Sequence, residues 1–207
     1  MSGKLYLCAT PIGNLEDITL RVLRVLKEVD LIAAEDTRNS IKLLNHFDIK
    51  TPMTSYHEYN KVEKAYTLIE KMQEGLNVAL ITDAGTPGIS DPGEVLAAMC
   101  YDAGIEVTSL PGPAACITAL TLSGLSTRRF AFEAFLPPDK KRGSHSGRAG
   151  HQPGGVRFCT LPVRECAENR ENGRGTAPGH ILARGDQYGI AARRLIAFFS
   201  AVGLTTV

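Results

Sequence analysis

Thr82-Asp83-Ala84-Gly85-Thr86-Pro87-Gly88-Ile89-Ser90-Asp91-Pro92-Gly93 is the stretch on which the fold turns. An apolar run rich in β-branched residues, Val78 to Ile81, precedes it and reads as a buried strand. Val95 to Tyr101 follows it and reads as a helix. An ordinary strand-to-helix connection takes about two to six residues. This one runs from Thr82 to Gly93, and its glycines, prolines, carboxylates and hydroxyls are the composition of a ligand loop. Glycine lets backbone approach a ligand closely, and proline stiffens the loop in advance. At the carboxyl end of a strand in an α/β sheet, such a loop is where a small ligand sits.

Outward from that loop the same alternation repeats. Lys4 to Ala9 reads as a first strand, closed by the turn Thr10-Pro11-Ile12-Gly13-Asn14. Asp17 to Glu28 carries apolar residues at helical period, with Asp17 as the expected N-cap. Leu31 to Ala34 is a second strand, ending in Glu35-Asp36-Thr37-Arg38 before a helix through Ile41, Leu44 and Phe47. Met53 to Ser55 is a third, closed by Tyr56-His57-Glu58-Tyr59-Asn60, and Val62 to Glu74 is an amphipathic helix stopped by Gly75. Ile105 to Leu110 is a fifth strand, followed by Pro111-Gly112-Pro113-Ala114-Ala115 and an apolar helix over Cys116 to Leu122. Strands alternating with helices in this way predict a mostly parallel five-stranded α/β sheet whose strand-end loops gather on one edge. Phe130 to Leu136 then reads as a further strand opening a second domain.

Composition narrows the function. No run of about 18 apolar residues offers a membrane span, and the N-terminus lacks the shape of a signal peptide. Cys8, Cys100, Cys116, Cys159 and Cys166 are odd in number and without a CxxC pair or zinc spacing, which points to reduced thiols in the cytoplasm, the first three packed in the core. There is neither a G-x-G-x-x-G after the first strand nor a G-x-x-x-x-G-K-[ST], so a dinucleotide or polyphosphate ligand is not expected. The net charge of +1 conceals a split. Met1 to Lys141 hold 14 basic and 18 acidic residues, a net of −4, whereas Arg142 to Val207 hold 9 and 4, a net of +5. All nine lysines fall in the first part, while 11 of the 20 glycines fall in the second.

Four segments, LYLCATPIGNLEDITLRVLRVLKEVDLIAAEDTRNS (residues 5–40), SYHEYN (55–60), ITDAGTPGISDPG (81–93) and LPGPAA (110–115), carry a family resemblance in one order. Over about residues 4–138 the chain resembles the ribosomal RNA small-subunit methyltransferase I family, within the tetrapyrrole methylase superfamily. The resemblance implies an S-adenosylmethionine-dependent enzyme in which two α/β domains clasp the cofactor, usually in a homodimer. It implies 2′-O-methylation of a cytidine ribose in small-subunit (16S) ribosomal RNA, with that RNA or the 30S subunit as partner. By resemblance Pro11, Gly85, Thr86, Pro87, Ile89, Ser90, Ala114 and Ala115 line the cofactor site, although the family usually has serine where Ala114 stands. Asp83 and Asp91 can attract a cationic sulfonium or amino group, or cap loop and helix N–H groups instead.

Methyl transfer from a sulfonium is an in-line displacement that needs alignment more than covalent or metal chemistry. A ribose 2′-hydroxyl is a poor acid, so a general base near neutral pKa helps. Glu35, Asp36, His57 and Glu58 are the candidates on neighbouring strand ends, each with structural hydrogen bonding as the competing role. Arg38 can meet a phosphate, and Tyr56 or Tyr59 can stack on a splayed base, with a solvated charge and buried rings as the plain alternatives. The net −4 of the first part does not mark an RNA-binding surface, so any affinity must be local.

After Pro137-Pro138-Asp139-Lys140-Lys141-Arg142 the family pattern ceases. The expected organisation is an N-terminal domain over 1–125, a linker with the first strand of a truncated second α/β domain over 126–141, and an irregular, disordered Arg/Gly-rich tail over 142–207. A GC-rich gene read out of frame gives such a switch from lysine to arginine, so a frameshift near codons 139–145 is the expectation; a genuine basic RNA-binding tail is the other. Beside the ribosomal RNA methyltransferase stand two further readings, a tetrapyrrole-type small-molecule methylase and an inactive remnant of the first domain.

Overall fold

The computed structural model of the chain describes residues 2–123, 127, 128 and 130–135, together with strands at 156–159 and 180–181. It divides into two units, Met1–Ala114 and Ala115–Val207. The first runs β1 (Lys4–Cys8), a 3-10 turn (Leu15–Asp17), α1 (Leu20–Glu28), β2 (Leu31–Ala34), α2 (Thr37–His46), β3 (Met53–Ser55), α3 (Lys61–Gln73), β4 (Val78–Ile81), α4 (Gly93–Asp102) and β5 (Glu106–Leu110). Every neighbouring pair of strands is parallel, in the order β3-β2-β4-β1-β5. Val78 of β4 lies between Leu5 of β1 and Leu31 of β2. The five-stranded parallel sheet read from the sequence is the one observed.

Period-two alternation divides the strand side chains between two cores. Leu5, Leu7, Ala33, Val78 and Leu80 pack with Leu68 and Met72 of α3 and Leu96 and Cys100 of α4. Cys8, Ile32, Ala34, Ala79 and Ile81 pack with Val22 and Leu26 of α1 and Leu44 of α2. Both faces of the sheet are therefore covered, which is why β4 is buried at all four positions and apolar throughout. Each large side chain fully buried in this way contributes about 1.5–3 kcal/mol. Cys8 and Cys100 lie in these cores, where burial pushes their thiols up to about 12 and about 11. Cys116 is only half-buried, against the expectation of a core position.

The helix expected from Asp17 starts later. Asn14 caps the 3-10 turn, its Oδ1 accepting from Glu16 N–H at 3.1 Å, and Asp17 is the last residue of that turn. Thr19 is the N-cap of α1, its Oγ1 accepting from Val22 N–H at 3.2 Å. Thr19→Ala is expected to cost about 1 kcal/mol, read as a lowered midpoint in urea denaturation.

The second unit begins with α5 (Ala115–Ser123) and continues with β6 (Ala131–Phe135). β6 pairs antiparallel with β7 (Val156–Cys159), which pairs antiparallel with β8 (His180–Ile181). These two strands depart from the irregular tail expected over 142–207, and the β-prone sequence Val-Arg-Phe-Cys gives the local reason for the first. The remainder of that tail, with Cys166 in it, lies outside the described residues. No helix among the described residues is long and apolar enough to cross a membrane.

Candidate functional site

The strand-end loops of the first unit are stitched together by backbone. Thr10 N–H donates to Gly85 O at 2.9 Å, and Gly85 N–H donates back to Thr10 O at 3.0 Å. The Thr10 hydroxyl donates to Thr82 O at 3.2 Å. From the same central loop, the Thr86 hydroxyl donates to Pro113 O at 2.9 Å, tying in the loop after β5. Gly85 is buried at φ +92°, a conformation L side chains rarely adopt, and a Cβ there would also meet Ile12 and Pro113. Pro11 and Ala114 are half-buried beside these contacts, and Ala115 is the first residue of α5 in the second unit.

Within the central loop Asp91 is the organising side chain. Its carboxylate accepts from Gly88 N–H (2.8 Å to Oδ2, 3.0 Å to Oδ1), from Ile89 N–H at 3.1 Å and from Gly93 N–H at 2.7 Å. Of the two roles open to it, capping the loop and the start of α4 is the one the geometry gives. The bend it holds puts Ser90 at φ +59°, uncommon for a residue with a Cβ. Ile89 and Ser90 stand exposed at the tip, and Pro87 is buried beneath it.

Tyr56 corrects one expectation. Its side chain is wholly buried in the α3/α4 core and its hydroxyl donates to Pro92 O at 3.0 Å. It therefore supports the central loop from below and does not offer its ring to a base. Tyr59, 97% exposed, does face solvent.

The carboxylates separate by environment. Asp36 is the N-cap of α2, accepting from Arg38 N–H at 2.8 Å, and Arg38 also grips it through Nε (3.1 Å) and a terminal guanidinium nitrogen (2.8 Å). Those bonds hold its carboxyl near 2, so Asp36 is a poor base. Glu35 is half-buried, and desolvation, then the negative charges of Asp83 and Asp91, raise its pKa, although Asp83 N–H donates to it. Asp83 is itself raised, by desolvation and then by Asp36, while accepting from the Asn39 side chain. Glu58 is tied to Lys61 at 2.6 Å on the surface. His57 N–H donates to Asn60 Oδ1 at 2.8 Å, and its ring stands edge-on to Tyr59 with a buried Nδ1 that has no partner among the described residues. Glu35 alone joins a raised pKa to a place on the strand-end edge beside Asp83.

Beside these loops opens a cleft of about 340 Å3, walled by Thr10, Pro11 and Gly13 to Leu15, by Thr82 and Asp83, and by Asn39, Ser40, Lys42, Leu43 and His46 of α2.

Residues 4–154 match the family model of the Tetrapyrrole (Corrin/Porphyrin) Methylases, which is most of the chain. The chain belongs to the tetrapyrrole methylase family. Within it, this methylase-family chain is 56% identical over 141 residues to the ribosomal RNA small subunit methyltransferase I of Haemophilus influenzae, covering 68% of this chain and 50% of that protein. To the protein of the same name from Synechocystis it is 58% identical over 134 residues, covering 65% of this chain and 48% of that one. The chain thus spans about half the length of these curated relatives. A solved diphthine synthase, 17% identical and covering 62% of this chain and 52% of its own, superposes with a TM-score of 0.53, a likeness of fold alone.

The sequence reading of this tetrapyrrole methylase chain missed Thr10, Asn39, Lys42 and His46 as wall residues. The signal was available in α2, where Asn39/Leu43 and Lys42/His46 are each four apart and so share one side of the helix.

Proposed function

We propose that this chain carries the methyl-donor half of an S-adenosylmethionine-dependent methyltransferase that acts on small-subunit ribosomal RNA, at the 2′-hydroxyl of a cytidine ribose. One observation carries the reading. Glu35, half-buried at the end of β2, and Asp83, exposed at the end of β4, both have carboxyl pKa values raised by partial desolvation and by neighbouring negative charge, where a cationic sulfonium would relieve the repulsion. The relatives at 56% and 58% identity, both named ribosomal RNA small subunit methyltransferase I, point to RNA as the acceptor.

The residues present suit that donor. When bound, S-adenosylmethionine supplies a methyl group on a positively charged sulfur. The loops knitted by Thr10, Gly85, Thr86 and Pro113 give a fixed surface for a folded small molecule. Pro11, Pro87, Ile89, Ser90, Ala114 and Ala115 are assigned to the same pocket by family resemblance, and Asp83 to the cationic end of the donor. Arg38, 88% exposed in its side chain, is assigned to an RNA phosphate. Glu35 is assigned the proton of the 2′-hydroxyl. The family resemblance adds a homodimer and a cytoplasmic setting.

Calorimetry with S-adenosylmethionine, followed by transfer of its labelled methyl group to 30S subunits, tests the reading, with 2′-O-methylcytidine sought in the digested RNA. Methylation of uroporphyrinogen instead would assign the chain to the small-molecule branch. No cofactor heat and no RNA product would leave a remnant of the first domain. A frameshift near codons 139–145 would account for the switch from lysine to arginine and glycine there, and an intact frame on resequencing would dismiss it.

Glu35→Gln gives a pH test with a defined sign. A raised carboxyl pKa means that the folded chain holds the proton more tightly than the unfolded chain. Its stabilising contribution is therefore present at acid pH and is lost as pH rises through the folded value. Glu35→Gln is expected to raise the melting temperature at pH 7, with the gain shrinking as the pH is lowered through the carboxylate range. It should also remove methyl transfer. A variant with full activity would exclude Glu35 as the base.

A further inference from the structure

We infer that the cleft between the β1 loop and α2 seats one unpaired ribonucleotide of an RNA strand, with its phosphate on Lys42 and its base against Pro11, Leu15 and Leu43. The inference rests on the methyltransferase reading and adds to it where the acceptor nucleotide sits.

The cleft follows from the winding of the sheet. After β1 and after β2 the chain passes to α1 and α2, which pack on one face; after β4 it passes to α4 on the other. β4 lies between β1 and β2, so the space above its end on the α1/α2 face is not filled by its own continuation. Ligands of open α/β sheets bind at such a reversal. A volume of about 340 Å3 lies at the small end of ligand pockets and suits a single nucleotide.

The wall carries the matching chemistry. Lys42 is exposed on α2 and forms no ion pair with the described residues, although Met1 to Lys141 has an acidic excess, and His46 stands one turn further along. Asn14 uses its carboxamide oxygen on Glu16 N–H, which leaves its two N–H donors at the rim. Asp83, the one acidic wall residue, is assigned to the donor's cationic end and so marks the side of the cleft that faces the methyl group. Thr82 is more than nine-tenths buried in the wall, and its Oγ1 has no partner among the described residues. A buried hydroxyl left unpaired is costly. Thr10, Pro11, Thr82 and Asp83 belong at once to the cleft and to the strand-end loops, so a nucleotide held here lies next to the assigned donor site.

The test is a titration of the 15N-labelled 207-residue chain with cytidine 5′-monophosphate, followed by amide shifts. Saturable shifts centred on Asn14, Asn39 to Leu43, Thr82 and Asp83 are expected. Lys42→Ala, an exposed helix substitution, should weaken binding by roughly tenfold, the loss of one hydrogen bond to a charged group. Cytidine without phosphate should bind as weakly to the unmodified chain and be indifferent to Lys42→Ala. Shifts located elsewhere, no saturation, an unchanged affinity in Lys42→Ala, or displacement of the nucleotide by S-adenosylmethionine would each overturn the inference. Because S-adenosylmethionine alone is titrated separately, failure of the methyl-donor reading shows in that experiment and not in this one.

Discussion

Tyr56→Ala is expected to lower the stability of the folded chain by about 3–5 kcal/mol, read from the urea midpoint. The ring is fully buried in the core lined by α3 and α4, so its removal leaves a cavity there. Tyr56→Phe keeps the ring and loses only the hydrogen bond to Pro92 O, which should cost about 1 kcal/mol. The contrast between the two variants separates packing from hydrogen bonding. A ring that stacked on RNA would behave in the opposite way, with stability unchanged and RNA affinity reduced. An unaltered midpoint for Tyr56→Ala would refute the core assignment.

Asp91→Ala should reduce S-adenosylmethionine affinity by roughly 10- to 100-fold, equivalent to about 1.4–3 kcal/mol. One carboxylate satisfies three loop N–H groups, those of Gly88, Ile89 and Gly93, and holds Ser90 in a left-handed conformation. Without it the bend has no internal acceptor, and the assigned cofactor contacts at Pro87, Ile89 and Ser90 must be ordered at the expense of binding. Space is also limiting there: a Cβ on Gly93 would lie 2.7 Å from Asp91 Oδ1 and 2.8 Å from Leu80 Cδ2. Asp91→Asn retains the shape and one acceptor oxygen, and should fall between alanine and the native residue. Calorimetry showing native affinity for Asp91→Ala would remove the loop from the cofactor site.

The strands were legible because period and composition agree with burial. Val78 to Ile81 is apolar at every position since both faces of β4 are covered, and that pattern has few other meanings. The start of α1 was not legible in the same way. Asp17 and Thr19 are both good caps, and the choice was made by Asn14, whose side chain closes a 3-10 turn that uses up Asp17. Tyr56 shows the limit for site residues. An aromatic next to a strand end looks alike in sequence whether it faces ligand or core, and only the packing of α3 and α4 decides. Asp91 was open between cation binding and capping for the same reason, since the donors it meets are its own loop's amides. The strands at Val156–Cys159 and His180–Ile181 were hidden by a composition rich in arginine and glycine around them.

The reciprocal pair between Thr10 and Gly85 has a mechanical consequence. Two amides locked face to face across adjacent strand ends cannot part without exposing both, so their hydrogens should exchange with solvent far more slowly than those of the loop tip. That pair holds the ends of β1 and β4 at one spacing, while Ile89 and Ser90 stand exposed at the loop tip, outside its reach.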